Sequence, residues 1–133
     1  MAKKHFYARL IPPRATFAAD MTEGERSHMR EHVAYFAGLF QQGKVLIFGP
    51  VMDPAYGFGM AVLEAEDLAE ARGWLENDPT VRSGLNSFTI SPMVVGASRA
   101  ATADVAHAAP AGAAVTDDEN PDDASAPPAN SAA

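Results

Sequence analysis

The sequence contains no cysteine, and its ten lysine and arginine residues are outnumbered by seventeen aspartate and glutamate residues in 133 positions. The lack of cysteine excludes disulfides, thiolate metal sites and a thiol nucleophile. The few basic residues argue against a nucleic-acid surface, which needs clustered positive charge. No run approaches the ~18 consecutive apolar residues of a membrane span, and no apolar signal-peptide segment follows the N-terminal lysines. We therefore expect a cytoplasmic protein that binds neither nucleic acid nor membranes.

The negative charge is concentrated near the C-terminus. Residues 100–133 hold six of the seventeen acidic residues, no lysine or arginine, and no leucine, isoleucine, methionine or aromatic residue. Such a segment cannot bury enough apolar surface to offset the entropy of ordering it. The composition therefore predicts one domain over residues 1–97 and a disordered, acidic, Ala/Pro-rich tail over residues 98–133. A domain of that size has a small core, which pairing with a second copy would help to stabilise.

The first half of the domain predicts a strand followed by a helix. Residues 4–11 alternate, with Phe6, Ala8 and Leu10 on one face of the strand. A capping box, Thr22-Glu23-Gly24-Glu25, predicts the start of a helix that runs to about Gln42, with Gly43 as its stop. The helical spacing predicts one buried stripe, which consists of Met29, Val33, Phe36 and Phe40.

The second half predicts two strands, a helix and a last strand. The apolar run 44–48 reads as a strand that Gly49-Pro50 ends, and residues 58–65 form the next strand. A helix from about Asp67 closes at residues 77–79, and residues 85–95 form the last strand. The order is βαββαβ, which predicts a ferredoxin-like α+β fold with a four-stranded antiparallel sheet and two helices on one face. The other, apolar face would remain wet, so we expect a homodimer that pairs sheet against sheet.

Several stretches of the domain together resemble a known family. They are Met-Thr-Glu-Gly-Glu-Arg at 21–26, Arg-Glu-His-Val-Ala-Tyr-Phe at 30–36, Gly-Lys-Val-Leu-Ile-Phe-Gly-Pro at 43–50, and Asn-Asp-Pro-Thr-Val-Arg-Ser-Gly-Leu at 77–85. This ordered set resembles the YCII-related family. The resemblance implies the dimeric α+β barrel fold and a pocket with a histidine–aspartate pair, here His32 and Asp78. It also implies a small-molecule enzyme, since at least one member dechlorinates an aromatic compound. Thr80 departs from the pattern, which usually has an aromatic or large apolar residue there.

The position of His32 supports two interpretations. His32 lies three residues after Met29 and four before Phe36, so it borders the buried stripe of the helix. A partly buried histidine beside a carboxylate can act as a general base, and the carboxylate would orient its ring. No nucleophile is evident, which favours proton transfer over acyl chemistry. Alternatively, His32 is a hydrogen-bonded core histidine and Asp78 only caps the turn at Asp-Pro.

The remaining motifs carry weaker signals. His28 and His32 fit the zinc-peptidase pattern H-x-x-E-H, but the small domain offers no third ligand, and we predict no metal. No phosphate-binding glycine motif occurs, so we predict no nucleotide or other cofactor. We expect Tyr7, Arg9, Gly49 and Pro50 to bind substrate, with a solvated Arg9 as the alternative.

Two classes of function follow from these observations. The first is a cofactor-independent lyase, isomerase or dehalogenase that acts on a small molecule, with His32 as base and Asp78 orienting it. The second is a non-catalytic, dimeric ligand-binding or regulatory module.

Overall fold

The computed structural model describes residues 3–99, so the predicted tail from residue 100 onward lies outside the described residues. Eight elements follow one another along the chain. They are β1 (Lys4–Ile11), α1 (Phe17–Asp20), α2 (Glu23–Gln41), β2 (Val45–Val51), β3 (Phe58–Ala65), α3 (Leu68–Glu76), α4 (Pro79–Arg82) and β4 (Ser87–Met93). Two of them, the single-turn helices α1 and α4, were not predicted. In the part of the chain thus described, no helix is long and apolar enough to cross a membrane.

The four strands form one antiparallel sheet in the order β2-β3-β1-β4. Each long helix joins two strands that are not neighbours in the sheet, which is the connection of the ferredoxin-like α+β fold. Residues from α2 and α3 share one core cluster with one face of the sheet, so both helices cover the same side. The predicted fold class is therefore confirmed.

The alternation in β1 sorts the sheet into a helix-covered face and an open face. Phe6, Ala8 and Leu10 are buried, whereas the residues between them are only partly buried. Register extends the sorting to β3, because Phe6 pairs with Leu63 and Tyr7 pairs with Val62. The predicted division of β1 is confirmed, and it decides which side of the sheet each site residue occupies.

Helix α2 begins as predicted, but its buried stripe is rotated. Thr22 and Glu25 form both hydrogen bonds of the capping box. The buried residues are Met29, His32, Phe36 and Leu39, whereas Val33 is 45% exposed and Phe40 only partly buried. Including Val33 in the stripe was wrong. A polar residue takes that core position because a buried carboxylate compensates it, as described below.

Strand β2 continues through Gly49 and Pro50 to Val51, so the prediction that this dipeptide ends the strand was wrong. Pro50 pairs with Gly59 within the ladder. The strand lies at the edge of the sheet, where a residue without an N–H group costs no ladder hydrogen bond on the open side. The last strand, β4, spans Ser87–Met93 and is shorter than the strand predicted over residues 85–95.

Candidate active site

Asp78 lies at the junction of α3 and α4, where its side chain caps the N-terminus of α4. Its Oδ1 accepts hydrogen bonds from the Thr80 backbone N–H and from Thr80 Oγ1, both at 2.7 Å. Pro79 follows at the first helical position, which favours the start of a helix. Asp78 and Thr80 are completely buried. The carboxylate is thus held in one orientation, with Oδ2 left for another partner.

That partner is His32, from the buried side of α2. His32 Nδ1 lies 2.5 Å from Asp78 Oδ2, and the histidine is only 5% exposed. The Phe36 ring, one turn along, packs against the imidazole with its centroid at 5.0 Å. With an ionised Asp78, Nδ1–H donates a hydrogen bond to the carboxylate, so in the neutral imidazole Nε2 presents its lone pair. Among residues 3–99, Nε2 has no hydrogen-bond partner.

Hydrogen bonds keep Asp78 ionised despite its burial. Burial raises the pKa of the carboxyl, but the hydrogen bond and charge of His32 and the two hydrogen bonds from Thr80 outweigh it. The pKa of Asp78 therefore lies below its ordinary value of 3.8. At neutral pH the pair contains a carboxylate, which is the form needed to fix the imidazole.

The lowered pKa of Asp78 predicts how stability depends on pH. A carboxyl with a lower pKa in the folded state stabilises the protein above its unfolded-state value of about 3.9, and loses this contribution as pH falls through the folded-state value. We expect wild type to be more stable than Asp78→Asn at pH 7, with the difference shrinking below about pH 4. Urea unfolding of both proteins from pH 7 to pH 2 measures this. A difference that stays constant over the range would contradict it.

Tyr35 ties together the two helices that carry the pair. Its hydroxyl donates a hydrogen bond of 2.6 Å to the backbone oxygen of Trp74 in α3. Burial, and then the charge of Asp78, raise the pKa of the Tyr35 phenol, so it remains a donor at neutral pH. Sequence reasoning missed Tyr35, because its partner is a backbone atom. The contact holds α2 against the end of α3 and so helps set the spacing between His32 and Asp78.

The four residues expected to bind substrate are not brought together around this pair. Tyr7 and Arg9 lie on the open face of the sheet, and Arg9 Cζ sits 4.2 Å from the centroid of the Phe58 ring. Gly49 pairs with Met60 on the edge of the sheet. Pro50 is closest to the helix-covered side, because it pairs with Gly59, which lines the crevice described next. Their role in substrate binding stays a prediction.

A small crevice of about 10 Å³ opens beside α2, at the end of β1. Neither His32 nor Asp78 lines it, but its lining residue Met29 lies one turn before His32 on the same buried stripe. Sequence reasoning missed Asn86, its polar lining residue. No sequence signal could have found it, because asparagine is mostly exposed in proteins and its burial here is a structural fact. The crevice is lined by Leu10, Pro12, Phe17, Met29, Gly59 and Asn86.

The histidine pair of the H-x-x-E-H pattern does not converge. His28 lies on the more exposed side of α2, with Nδ1 3.6 Å from Glu31 Oε1, whereas His32 faces Asp78. Within residues 3–99, no three histidine, aspartate or glutamate side chains group as a metal site would require. The motif here is a by-product of helical spacing.

The chain is thus a ferredoxin-like α+β protein with a buried histidine–aspartate pair between its helices. The YCII-related domain family matches residues 5–94, and the chain belongs to this family. A comparison with curated proteins finds no match. Among solved structures, the chain is similar to 5-chloro-2-hydroxyhydroquinone dehydrochlorinase from Burkholderia phenoliruptrix AC1100, in complex with 2,5-dihydroxybenzoquinone. The two share 19% identity with a TM-score of 0.55, over 69% of this chain and 95% of that one. At this identity the likeness shows the fold.

Proposed function

We propose that the protein is an enzyme that removes a proton from a small organic molecule, with His32 as the base and Asp78 as its positioning residue. The observation that carries the proposal is the buried contact between His32 Nδ1 and Asp78 Oδ2, which leaves Nε2 without a partner in the described chain. A carboxylate that fixes one tautomer and stabilises the imidazolium that forms is the arrangement general-base catalysis needs.

The reaction we propose is an elimination or isomerisation of the dehydrochlorinase type. The similar solved structure is named for removing HCl from 5-chloro-2-hydroxyhydroquinone. Such a step releases one proton and one chloride, which leaves with the electron pair of the carbon–chlorine bond. It consumes neither oxidant nor reductant. The chain therefore has to supply only a base held in one orientation. A small hydroxylated or halogenated ring is accordingly the substrate class that we propose.

We also infer that the working form is a homodimer paired through the open face of the sheet. The apolar centre of this face is not covered by any element in residues 3–99. Ile47 is 49% exposed and Tyr7 and Met60 are partly buried, while Val62 between them is already buried by its neighbours. Nε of Arg9 is buried on the same face and lacks an acceptor within the described residues. A second copy would cover the apolar surface and could supply that acceptor.

The proposed function is tested by chloride release from 5-chloro-2-hydroxyhydroquinone. We expect the full chain to release chloride. The rate of His32→Asn should be about 10²–10⁴-fold lower, which is the usual contribution of a general base. An asparagine amide at this position can still donate to Asp78, so the variant should fold. His28→Asn, one turn earlier on the exposed side, is the matched control and should keep the full rate.

Two results would contradict the proposal, the first its base and the second its catalytic character. Equal rates for His32→Asn and His28→Asn would show that His32 is not the base. Saturable binding of the ring without any chloride release would favour the alternative, a non-catalytic ligand-binding module. Circular dichroism of each variant confirms that rates are compared between folded proteins.

A further inference from the structure

Asn86 is a buried side chain whose hydrogen-bonding capacity is not used up. The residue is only 5% exposed. Its Nδ2 donates to Met29 Sδ at 3.5 Å, and a thioether sulfur is a weak acceptor. Its Oδ1 is buried and has no hydrogen-bond partner within residues 3–99. Leaving an acceptor buried and unpaired is costly, so such a group calls for an explanation.

The surroundings of Asn86 indicate what could pair with it. It lines the crevice of about 10 Å³ together with Leu10, Pro12, Phe17, Met29 and Gly59, all of which present apolar surface there. That volume accommodates about one water-sized group. Gly59 presents no side chain to the crevice. The site therefore suits one hydroxyl group that enters between apolar walls, with the body of the molecule outside the narrow part.

Asn86 does not contact the histidine–aspartate pair itself, but it contacts a neighbour of each member. Its backbone N–H donates to the Thr80 carbonyl oxygen at 3.0 Å, and Thr80 in turn holds Asp78 with two hydrogen bonds. Its side chain contacts Met29, which precedes His32 by one turn of α2. A group bound by Asn86 would therefore lie next to the two segments, around Met29 and Thr80, that position His32 and Asp78.

We propose that Asn86 is a specificity-determining residue that recognises a hydroxyl group on an uncharged ring, with Oδ1 accepting the hydroxyl proton. The inference rests on the proposed function for its setting, because it names the feature by which the same site selects its ligand. The ligand class is a neutral phenol, which keeps its proton at neutral pH as tyrosine does. A ring that lacks a hydroxyl donor leaves Oδ1 unpaired and is disfavoured.

The test compares hydroquinone with its dimethyl ether, 1,4-dimethoxybenzene, as probes of the full chain. Titrations followed by ¹⁵N-edited NMR should show hydroquinone shifting the Asn86 side-chain amide signals, with the ether binding at least threefold more weakly. Asn86→Leu, of nearly the same size, should bind hydroquinone about threefold to tenfold more weakly than wild type, the range expected for one neutral hydrogen bond. Affinity for the ether should not fall in this variant.

The outcomes separate this inference from its alternatives. If an ordered water pairs with Asn86 instead, Asn86→Leu will leave the affinity for hydroquinone unchanged, which overturns the inference. Failure of hydroquinone to bind wild type, or equal affinity for the two probes, also overturns it. Neither probe contains chlorine, so binding is measured independently of chloride release. If hydroquinone binds in the expected way but no chloride is released from 5-chloro-2-hydroxyhydroquinone, the proposed enzyme is rejected and the role of Asn86 in binding stands.

Discussion

Replacement of Asp78 by asparagine is expected to reduce chloride release about 10³–10⁴-fold while the protein remains folded, because the substitution reverses the tautomer of His32. In wild type, Oδ1 of Asp78 is occupied by two donors from Thr80, the backbone N–H and the hydroxyl. An asparagine must keep its oxygen at that position, since an amide NH₂ there would face two donors. Its NH₂ group then takes the place of Oδ2, next to His32 Nδ1.

The consequence for His32 is specific. An amide NH₂ donates to Nδ1, so Nδ1 must be the acceptor and the proton moves to Nε2. The nitrogen that we propose as the base then no longer has a free lone pair. The two-bond ¹H–¹⁵N spectrum of the imidazole reports this directly, since protonated and unprotonated ring nitrogens differ widely in ¹⁵N shift.

The matched control is Asp67→Asn. Asp67 also caps a helix, accepting from the Glu70 N–H at 2.8 Å, but it is exposed and, within residues 3–99, makes no hydrogen bond to a histidine. This variant should keep both the wild-type rate and the wild-type His32 spectrum. A wild-type rate in Asp78→Asn would remove the positioning role of Asp78. A lost rate with an unchanged tautomer would show that its charge, rather than its orientation, matters.

The histidine–aspartate pair could be expected from the sequence, whereas the reason for its position could not. Resemblance to the family connects His32 and Asp78, which are 46 residues apart. Periodicity alone placed Val33 in the buried stripe, because a hydropathy pattern assigns a core position to the apolar residue. The stripe is rotated toward His32 because Asp78, which Thr80 holds in place, pairs with that side chain from another element. Such compensation is visible only in three dimensions.

The sequence could not predict the structure at Pro50 or at Asn86, and the physical reasons differ. Proline removes a ladder donor, so the sequence predicts a strand end, yet at an open sheet edge the missing N–H has no partner to lose. Asn86 has ordinary polar composition, and nothing in the sequence marks one of its atoms as buried and unpaired. The open sheet face was predictable in outline from strand alternation. Which residues lie on it depends on the register of β1 against β3, which places Tyr7, Met60 and Val62 on this face.

The open face provides the second large expected effect, which is dissociation of the proposed dimer by Ile47→Glu. Ile47 pairs with Val62 on that face and is 49% exposed in the single chain. A carboxylate there remains in water in a monomer, so folding of one chain should be affected little. In a sheet-to-sheet dimer it would be buried against apolar side chains, and an unpaired buried charge is strongly unfavourable.

Val33→Glu provides a control of nearly equal exposure on the opposite side of the molecule. Val33 lies on α2 and is 45% exposed, so the substitution adds the same charge to a comparable surface. Light scattering after gel filtration should give twice the chain mass for wild type and Val33→Glu, and the chain mass for Ile47→Glu. A monomeric wild type at micromolar concentration would remove the dimer altogether. A dimeric Ile47→Glu would place the interface elsewhere, since an interface that excludes water from the centre of this face cannot leave the new carboxylate hydrated.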